Sequence, residues 1–214
     1  PVLISPSLLA VKDKENHVKQ AILAVKAGAD MIHFDVVSGS GKETAVIKED
    51  SEDTSLILTP DLLRNIKEAA KKEGVAVPID VHIMDMEPAE GYIRKFIAAG
   101  ADIIVLHWEA FLNKETLAQR LKFVGEQNIS QGIALRPDVD IEAVGNFIQN
   151  NPTLIRYVSQ AGVYPCLGGQ TFIYPVLGNI RYLDSLRKRH NFSYKIIVDG
   201  GIEPEVSAPK AAFS

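Results

Sequence analysis

The sequence predicts an α/β domain in which parallel strands alternate with covering helices. Short, almost continuously apolar runs alternate with amphipathic segments of helix length along the 214 residues. Strands that are apolar on both faces are typical of a parallel sheet covered by helices. The repeat is regular and no Gly-x-Gly-x-x-Gly pattern follows the first run, which favours a TIM (β/α)8 barrel over a nucleotide-binding sheet. We therefore expect one barrel domain over residues 1–214.

Seven apolar runs are predicted as strands, so the sequence supplies about seven β/α units. They are Val2–Ser5, Met31–Val36, Val75–Ile83, Ile103–His107, Ser130–Leu135, Leu154–Ala161 and Tyr194–Asp199. A closed barrel of this type has eight strands, and the sequence stops where the eighth should begin. Either the chain is truncated or partly represented, which we favour, or the barrel is completed in another way.

The segments between these runs carry helix signals. Thr59, Pro60 and Asp61 form an N-cap, a first-turn proline and a first-turn acid. Glycine follows two of the predicted helices, at the position of a C-cap. The predicted helices are Lys14–Ala27, Pro60–Lys72, Pro88–Ala99, Lys114–Gln127, Ile141–Gln149, Pro175–Arg189 and a short Pro204–Ala212.

One long polar connection interrupts this rhythm. It covers about residues 38–55, after the second predicted strand. Its charges are typical of a solvated loop. Because connections of this length are uncommon unless they are functional or disordered, a lid over the site is the alternative.

Composition excludes several classes of partner. The formal net charge of −4 predicts no nucleic-acid partner, and no apolar run approaches the roughly 20 residues of a membrane span. Cys166 is the single cysteine, which suits a reducing compartment. No signal-peptide pattern opens the sequence. We therefore expect a cytoplasmic protein that acts on a small molecule.

Side chains able to bind a metal occur at three predicted strand ends, where barrel enzymes have their active sites. His33 and Asp35 share one face of their strand, because side chains two residues apart point the same way. His82 and Asp199 end two other strands. This nitrogen and oxygen set suits Zn²⁺, Fe²⁺, Mn²⁺ or Co²⁺ better than Ca²⁺ or Mg²⁺. The alternative is that the histidines are ordinary core residues.

Four other polar residues on or near the predicted strands and helices have no assigned role in metal binding. Asp80 shares a face with His82 and is either a partner that orients a ligand or a core residue. His107 also ends a strand, and we interpret it as a rim residue rather than a ligand. His17 and His190 lie on or beside helices, and we expect them at the surface.

Five ordered motifs resemble the ribulose-phosphate 3-epimerases. They are Ile-Ser-Pro-Ser-Leu-Leu at 4–9, His-Phe-Asp-Val at 33–36, Asp-Val-His-Ile-Met at 80–84, Gly-Gly-Gln-Thr-Phe at 168–172 and Val-Asp-Gly-Gly-Ile at 198–202. The resemblance spans essentially the whole sequence. It implies a (β/α)8 barrel with one divalent metal, Zn²⁺ first among the candidates, held by His33, Asp35, His82 and Asp199.

The resemblance also implies an activity, which is inversion of carbon 3 of a ketose phosphate, with D-ribulose 5-phosphate the leading substrate. Removal of the C3 proton creates an enediolate, which a metal can stabilise as a Lewis acid. Asp35 and Asp199 would be the acid/base pair on opposite faces of this intermediate.

Further residues are implied as contacts of the substrate. Ser7 and Met84 would line the sugar site. Paired glycines can offer backbone N–H groups to a phosphate, although such pairs are also common in simple turns. The glycines concerned are Gly168, Gly169, Gly200 and Gly201.

The sequence departs from the family pattern at several positions. Val37 and Ala161 stand where the family has methionines that cover the intermediate, and Ser38 replaces an acid. The glycine-serine loop that follows strand eight in the family is absent. These departures keep two alternatives open: an epimerase of another ketose phosphate such as allulose 6-phosphate, or a non-catalytic relative that binds metal or sugar phosphate. We also expect a homo-oligomer.

Overall fold

The computed structural model describes residues 3–11, 16–37, 58–165 and 170–202. Several predicted features lie outside these ranges. They are the polar connection 38–55, the final helix 204–212, and the first glycine pair, Gly168 and Gly169.

Six parallel strands form one sheet in the described part of the chain. The strands follow one another in sequence order, and each pairs only with its neighbours. This topology confirms the predicted α/β barrel class, because helices connect the successive parallel strands. The strands are β1 Ile32–Val36, β2 Ile79–Ile83, β3 Ile103–His107, β4 Ser130–Leu135, β5 Tyr157–Ala161 and β6 Lys195–Asp199.

The first predicted strand, Val2–Ser5, is wrong for its described residues. This segment runs beside β1 but makes only an isolated parallel bridge, between Ser7 and His33. The Ile4 carbonyl accepts hydrogen bonds from the N–H groups of Asp30 and Met31, and the Pro6 carbonyl accepts one from His33 within β1. Pro6 has no N–H to continue a ladder, and Ser7 instead begins a 3₁₀ turn by accepting from Leu9 N.

Six α-helices cover the described sheet, close to their predicted bounds. Thr59 caps α2 as expected, with its hydroxyl accepting from Leu62 N at 3.2 Å. None of the described helices is long and apolar enough to cross a membrane. The helices are α1 His17–Lys26, α2 Pro60–Lys72, α3 Glu90–Ala99, α4 Lys114–Glu126, α5 Ile141–Asn150 and α6 Val176–His190.

The register of the strands places the polar residues inside the barrel. Asp35 pairs with His82, and His33 pairs with Asp80, so these four side chains share the inner face. Intervening residues such as Phe34 face the helices and are fully buried in the main core. Two layers of side chains, one polar and one apolar, therefore use alternate positions of the same strands.

The sheet must be strongly curled. Asp35 lies on β1 and Asp199 on β6, at opposite edges of the sheet. In a flat sheet the five intervening spacings would separate these strands by about 24 Å. A ligand atom of Asp35 nevertheless lies within 4.8 Å of one from Asp199. The curl brings the first and last strands to one point.

Truncation of Leu63 tests the packing of α2 against the sheet. Leu63 is fully buried in the core, whereas its neighbour Leu62 is only partly buried. We expect Leu63→Ala to lower the free energy of unfolding by about 2–5 kcal/mol, because it removes buried methyl groups and leaves a cavity. Urea titration measures the loss. Leu62→Ala is the matched control, and equal losses in the two variants would contradict this packing.

Candidate metal centre

Four side chains converge at the carboxyl ends of three strands. Each of His33, Asp35, His82 and Asp199 offers one ligand atom, and these atoms all lie within 4.8 Å of one another. The two histidines and Asp35 are buried, while the side chain of Asp199 is 26% exposed. The sequence analysis predicted this set, and the structure brings all four residues together.

His33 stands at the centre of a hydrogen-bonded chain. Its Nδ1 lies 2.7 Å from Asp80 Oδ2, and its Nε2 lies 3.0 Å from Asp35 Oδ1. Asp199 Oδ2 is 3.4 Å from the same Nε2. The other oxygen of Asp80 accepts from the Ser5 hydroxyl at 3.1 Å. Asp80 therefore orients the ring and directs Nε2 at the two carboxylates, as outer partners of metal ligands commonly do.

His82 is held in the same cluster without a conventional partner. Its Nδ1 lies 3.4 Å from Asp35 Oδ1 and 3.7 Å from Asp199 Oδ2. Both of its ring nitrogens are buried and lack a hydrogen-bond partner among the described residues. A buried polar atom left unpaired costs about 1–3 kcal/mol. A metal ion would remove that cost at one nitrogen.

Electrostatics tie the titratable groups together. Burial opposes the charge on His33, but Asp35, Asp199 and Asp80 outweigh it and raise the pKa of His33 well above its ordinary value. Burial likewise opposes ionisation of Asp35 and Asp199, yet the His33 charge lowers the pKa of both carboxyls. The carboxylates therefore favour the protonated form of His33, and a bound cation would supply positive charge at the same place.

The donor set fits a divalent metal. Two imidazole nitrogens and two carboxylate oxygens match the ligand preferences of Zn²⁺ and neighbouring transition metals. The unpaired nitrogens of His82 are the observation that supports this fit. The cluster can hold a divalent ion, with each of the four residues supplying one ligand.

Ser7 and Met84 lie beside this centre. The Ser7 hydroxyl donates to Asp35 Oδ2 at 2.7 Å. Met84 directly follows β2, its backbone N–H bonds to Val36 O at 3.0 Å, and its side chain is almost completely buried. Both residues occupy the end of the barrel where we expect substrate, although their contacts with substrate remain a prediction.

Gly200 and Gly201 form a tight turn after Asp199. Both adopt positive φ, at 84° and 66°. A Cβ at either position would lie 2.8 Å or less from a methyl group of Val163. Both the positive φ and this close contact therefore require glycine. The turn lies at the carboxyl end of β6, as a phosphate site in this barrel requires, and its anion-binding role remains a prediction.

Two histidines were misplaced by the sequence interpretation. His17 is buried rather than exposed, with its Nε2 3.2 Å from Val11 O. His107 is completely buried rather than on the rim, and its ring stacks on His82 with centroids 5.1 Å apart. Its Nδ1 lies 2.6 Å from Glu109 Oε2. Burial lowers the pKa of His107, with the Glu109 hydrogen bond acting in the opposite direction.

The fold and the four-residue centre together define a barrel enzyme whose site can hold a divalent metal. The sequence model of the ribulose-phosphate 3 epimerase family matches residues 3–212. The chain belongs to this family, which confirms the resemblance of its motifs, and it is an isomerase of the epimerase type.

Curated relatives have the same name as this family, and the similarity to each covers most of its length. The ribulose-phosphate 3-epimerase of Escherichia coli strain K12 is 28% identical over 201 residues, covering 94% of this chain and 79% of the relative. The protein of that name from Synechocystis is 30% identical over 204 residues, covering 95% of this chain and 78% of the relative.

Solved structures support the fold alone. The tryptophan synthase subunit alpha of Legionella pneumophila superposes with a TM-score of 0.60 at 18% identity, covering 99% of this chain and 77% of that one. KGPDC from Streptococcus mutans superposes with a TM-score of 0.58 at 12% identity, covering 95% of this chain and 80% of that one. At these identities the similarity extends to the barrel architecture and to nothing finer.

Replacement of His82 tests whether the centre binds metal. We expect His82→Ala to reduce the divalent metal retained per chain after dialysis, because the variant loses one of four ligands while the barrel remains intact. Elemental analysis measures the metal content, and thermal unfolding checks the fold. His190→Ala is the control, since His190 is exposed at the end of α6. Equal metal content in both variants would exclude His82 as a ligand.

Proposed function

We propose that this protein inverts carbon 3 of a ketose phosphate and interconverts D-ribulose 5-phosphate and D-xylulose 5-phosphate. The observation that carries this proposal is the meeting of two carboxylates, from β1 and β6, in one cluster with two histidines. The family name of the curated relatives supports the choice of substrate.

The reaction explains why two carboxylates are needed. The hydrogen on carbon 3 is acidic because the C2 carbonyl is adjacent, so a carboxylate can remove it as a general base. Inversion then requires a proton donor on the opposite face of the planar intermediate. Asp35 and Asp199 approach from strands at opposite edges of the sheet, and we assign them these two roles.

The same centre would also hold a metal ion. His33, Asp35, His82 and Asp199 would bind a divalent ion, for which Zn²⁺ is the first candidate and Fe²⁺, Mn²⁺ or Co²⁺ are alternatives. When bound, that ion would stabilise the negative charge that develops beside the C2 carbonyl. Asp80 fixes the orientation of His33 through the 2.7 Å contact.

Substrate contacts follow from the surroundings of the two aspartates. Ser7 donates to Asp35 Oδ2, so its hydroxyl can hold this carboxylate in place and lies within reach of a sugar bound there. We assign Met84, which is buried directly after β2, to the lining of the sugar site. The phosphate would bind backbone N–H groups of the glycine pairs, namely Gly168, Gly169, Gly200 and Gly201.

A longer ketose phosphate such as allulose 6-phosphate is the second candidate. Ala161 ends β5 directly opposite Asp199 in the register, and Val37 follows β1 beside Asp35. Both side chains are shorter than the methionines that the family places there, so more room remains above the centre. Comparison of kcat/KM for the two sugar phosphates distinguishes the candidates, and a preference for the six-carbon sugar would replace the first substrate assignment.

Two broader expectations remain predictions. A cytoplasmic location suits a sugar-phosphate enzyme, and a homo-oligomer is expected. Size-exclusion chromatography with light scattering tests the second expectation, since a monomer at all concentrations would contradict it.

Separate replacement of the two aspartates tests the acid/base assignment. We expect Asp35→Asn and Asp199→Asn each to lower net epimerisation by about 10²–10⁴-fold, because one proton-transfer group is lost. Each variant keeps one carboxylate, so each should exchange the C3 hydrogen of one epimer with solvent much faster than that of the other. The favoured epimer should differ between the two variants. Deuterium uptake from D₂O, followed by mass spectrometry, measures both rates.

Metal content and thermal unfolding of the two variants are the controls. Asparagine keeps an oxygen at each ligand position, so the variants can be compared at matched metal occupancy. Full epimerisation by a metal-loaded variant would remove the replaced residue from the acid/base pair. Equal exchange of both epimers in both variants would indicate a different base.

A further inference from the structure

The aromatic stack of His82 and His107 contains more unpaired nitrogens than one metal can satisfy. Both nitrogens of His82 and Nε2 of His107 are buried without a hydrogen-bond partner in the described part of the chain. The two rings are nearly parallel, at 26°, with centroids 5.1 Å apart. A metal would take one nitrogen of His82. One further nitrogen on each ring would still require a polar partner.

His107 is not a fifth member of the metal cluster. The cluster of potential ligands found among the described residues comprises His33, Asp35, His82 and Asp199, and His107 is outside it. Its position is nevertheless inside the barrel, because His107 lies on the same face of β3 as Val105, the register partner of His82. Its ring therefore contacts the centre through the stack on His82 without joining the ligand cluster.

Glu109 fixes the proton of His107 on one nitrogen. Its Oε2 lies 2.6 Å from His107 Nδ1, and its Oε1 accepts from the backbone N–H of Arg136 at 3.0 Å. An ionised carboxylate can only accept hydrogen bonds, so Nδ1 is the donor. In the neutral ring Nε2 then carries the lone pair. Glu109 is itself hydrogen-bonded to the backbone directly after β4. The orientation of the His107 ring therefore depends on both β3 and β4.

We propose that His107 Nε2 accepts a hydrogen bond from a hydroxyl of the bound sugar phosphate, outside the reacting C2–C3 pair. A hydroxyl both donates and accepts, so the same group can accept from the remaining nitrogen of His82. The inference rests on the proposed function and deepens it by assigning a substrate-binding residue. The observation that carries the assignment is the buried Nε2 of His107, which has no partner among the described residues and lies in a ring stacked on His82.

The test compares sugar phosphates that differ by one hydroxyl. The probes are D-xylulose 5-phosphate and its 1-deoxy and 4-deoxy analogues, and titration calorimetry on metal-loaded protein measures their binding. His107→Asn is the informative variant, because its side-chain amide can still donate to Glu109 while the Nε2 position is removed. Wild-type protein should bind one deoxy analogue about five- to tenfold more weakly than the parent sugar. In His107→Asn that preference should fall to about one.

A spectroscopic measurement on wild-type protein gives an answer that does not depend on folding of the variant. The ¹⁵N signal of His107 Nε2 should be that of a lone-pair nitrogen, and it should shift when the parent sugar binds. It should not shift with the analogue that lacks the contacting hydroxyl. Glu109→Gln offers an amide donor to Nδ1 and should move the proton to Nε2, with a corresponding change in this signal.

The possible results distinguish failure of the His107 role from failure of the proposed epimerase function. If wild-type protein exchanges the C3 hydrogen of D-ribulose 5-phosphate but His107→Asn keeps full preference against both analogues, only the role of His107 is overturned. The same conclusion follows if the ¹⁵N signal is unmoved by sugar, which would leave an ordered water as the partner. If wild-type protein binds no ketose phosphate at all, the proposed function and this inference fail together.

Discussion

The structure depends on the placement of two carboxylates, one of them buried, and two buried imidazoles at one point inside a barrel. Ionised carboxylates in an apolar interior are costly unless a cation or hydrogen-bond donors compensate. Here the Ser7 hydroxyl donates to Asp35, and the His33 ring faces both Asp35 and Asp199, whose charges raise its pKa. Asp80 holds that ring in place. The curl of the six-stranded sheet makes this arrangement possible, because it brings β1 and β6 together so that Asp35 and Asp199 share partners.

The divided use of each strand explains how such a polar site is compatible with a stable fold. Alternate residues of β1 and β2 face either the site or the helices, so Phe34 and Val81 bury apolar surface next to ligand positions. Loss of a ligand therefore need not unfold the barrel. The same separation makes the site adjustable, since residues at the strand ends, such as Val37 and Ala161, can vary in size while the core remains unchanged.

The sequence predicted features with strong local or periodic signals. Six of the predicted strands, their alternation with helices and the four side chains of the candidate metal centre were identified, because parallel strands place their carboxyl ends at one end of the barrel. It could not decide the role of Asp80, since that depends on which residue of β1 lies opposite in the register. His107 was interpreted as a rim residue because its burial and its stacking on His82 depend on how β2 and β3 lie together, which the sequence does not show. The strand predicted at Val2–Ser5 was wrong because an apolar run alone does not show whether its residues pair with β1. Here Pro6 interrupts that pairing.

In the proposed reaction a carboxylate of the metal centre removes the C3 proton of a ketose phosphate. The most direct measurement is deuterium incorporation at carbon 3 of D-ribulose 5-phosphate in D₂O, with metal-reconstituted protein and a metal-stripped control. We expect incorporation in the reconstituted sample, its loss on metal removal and its restoration after metal is added back. Absence of incorporation by folded, metal-loaded protein, or equal incorporation after complete removal of metal, would contradict the proposed reaction.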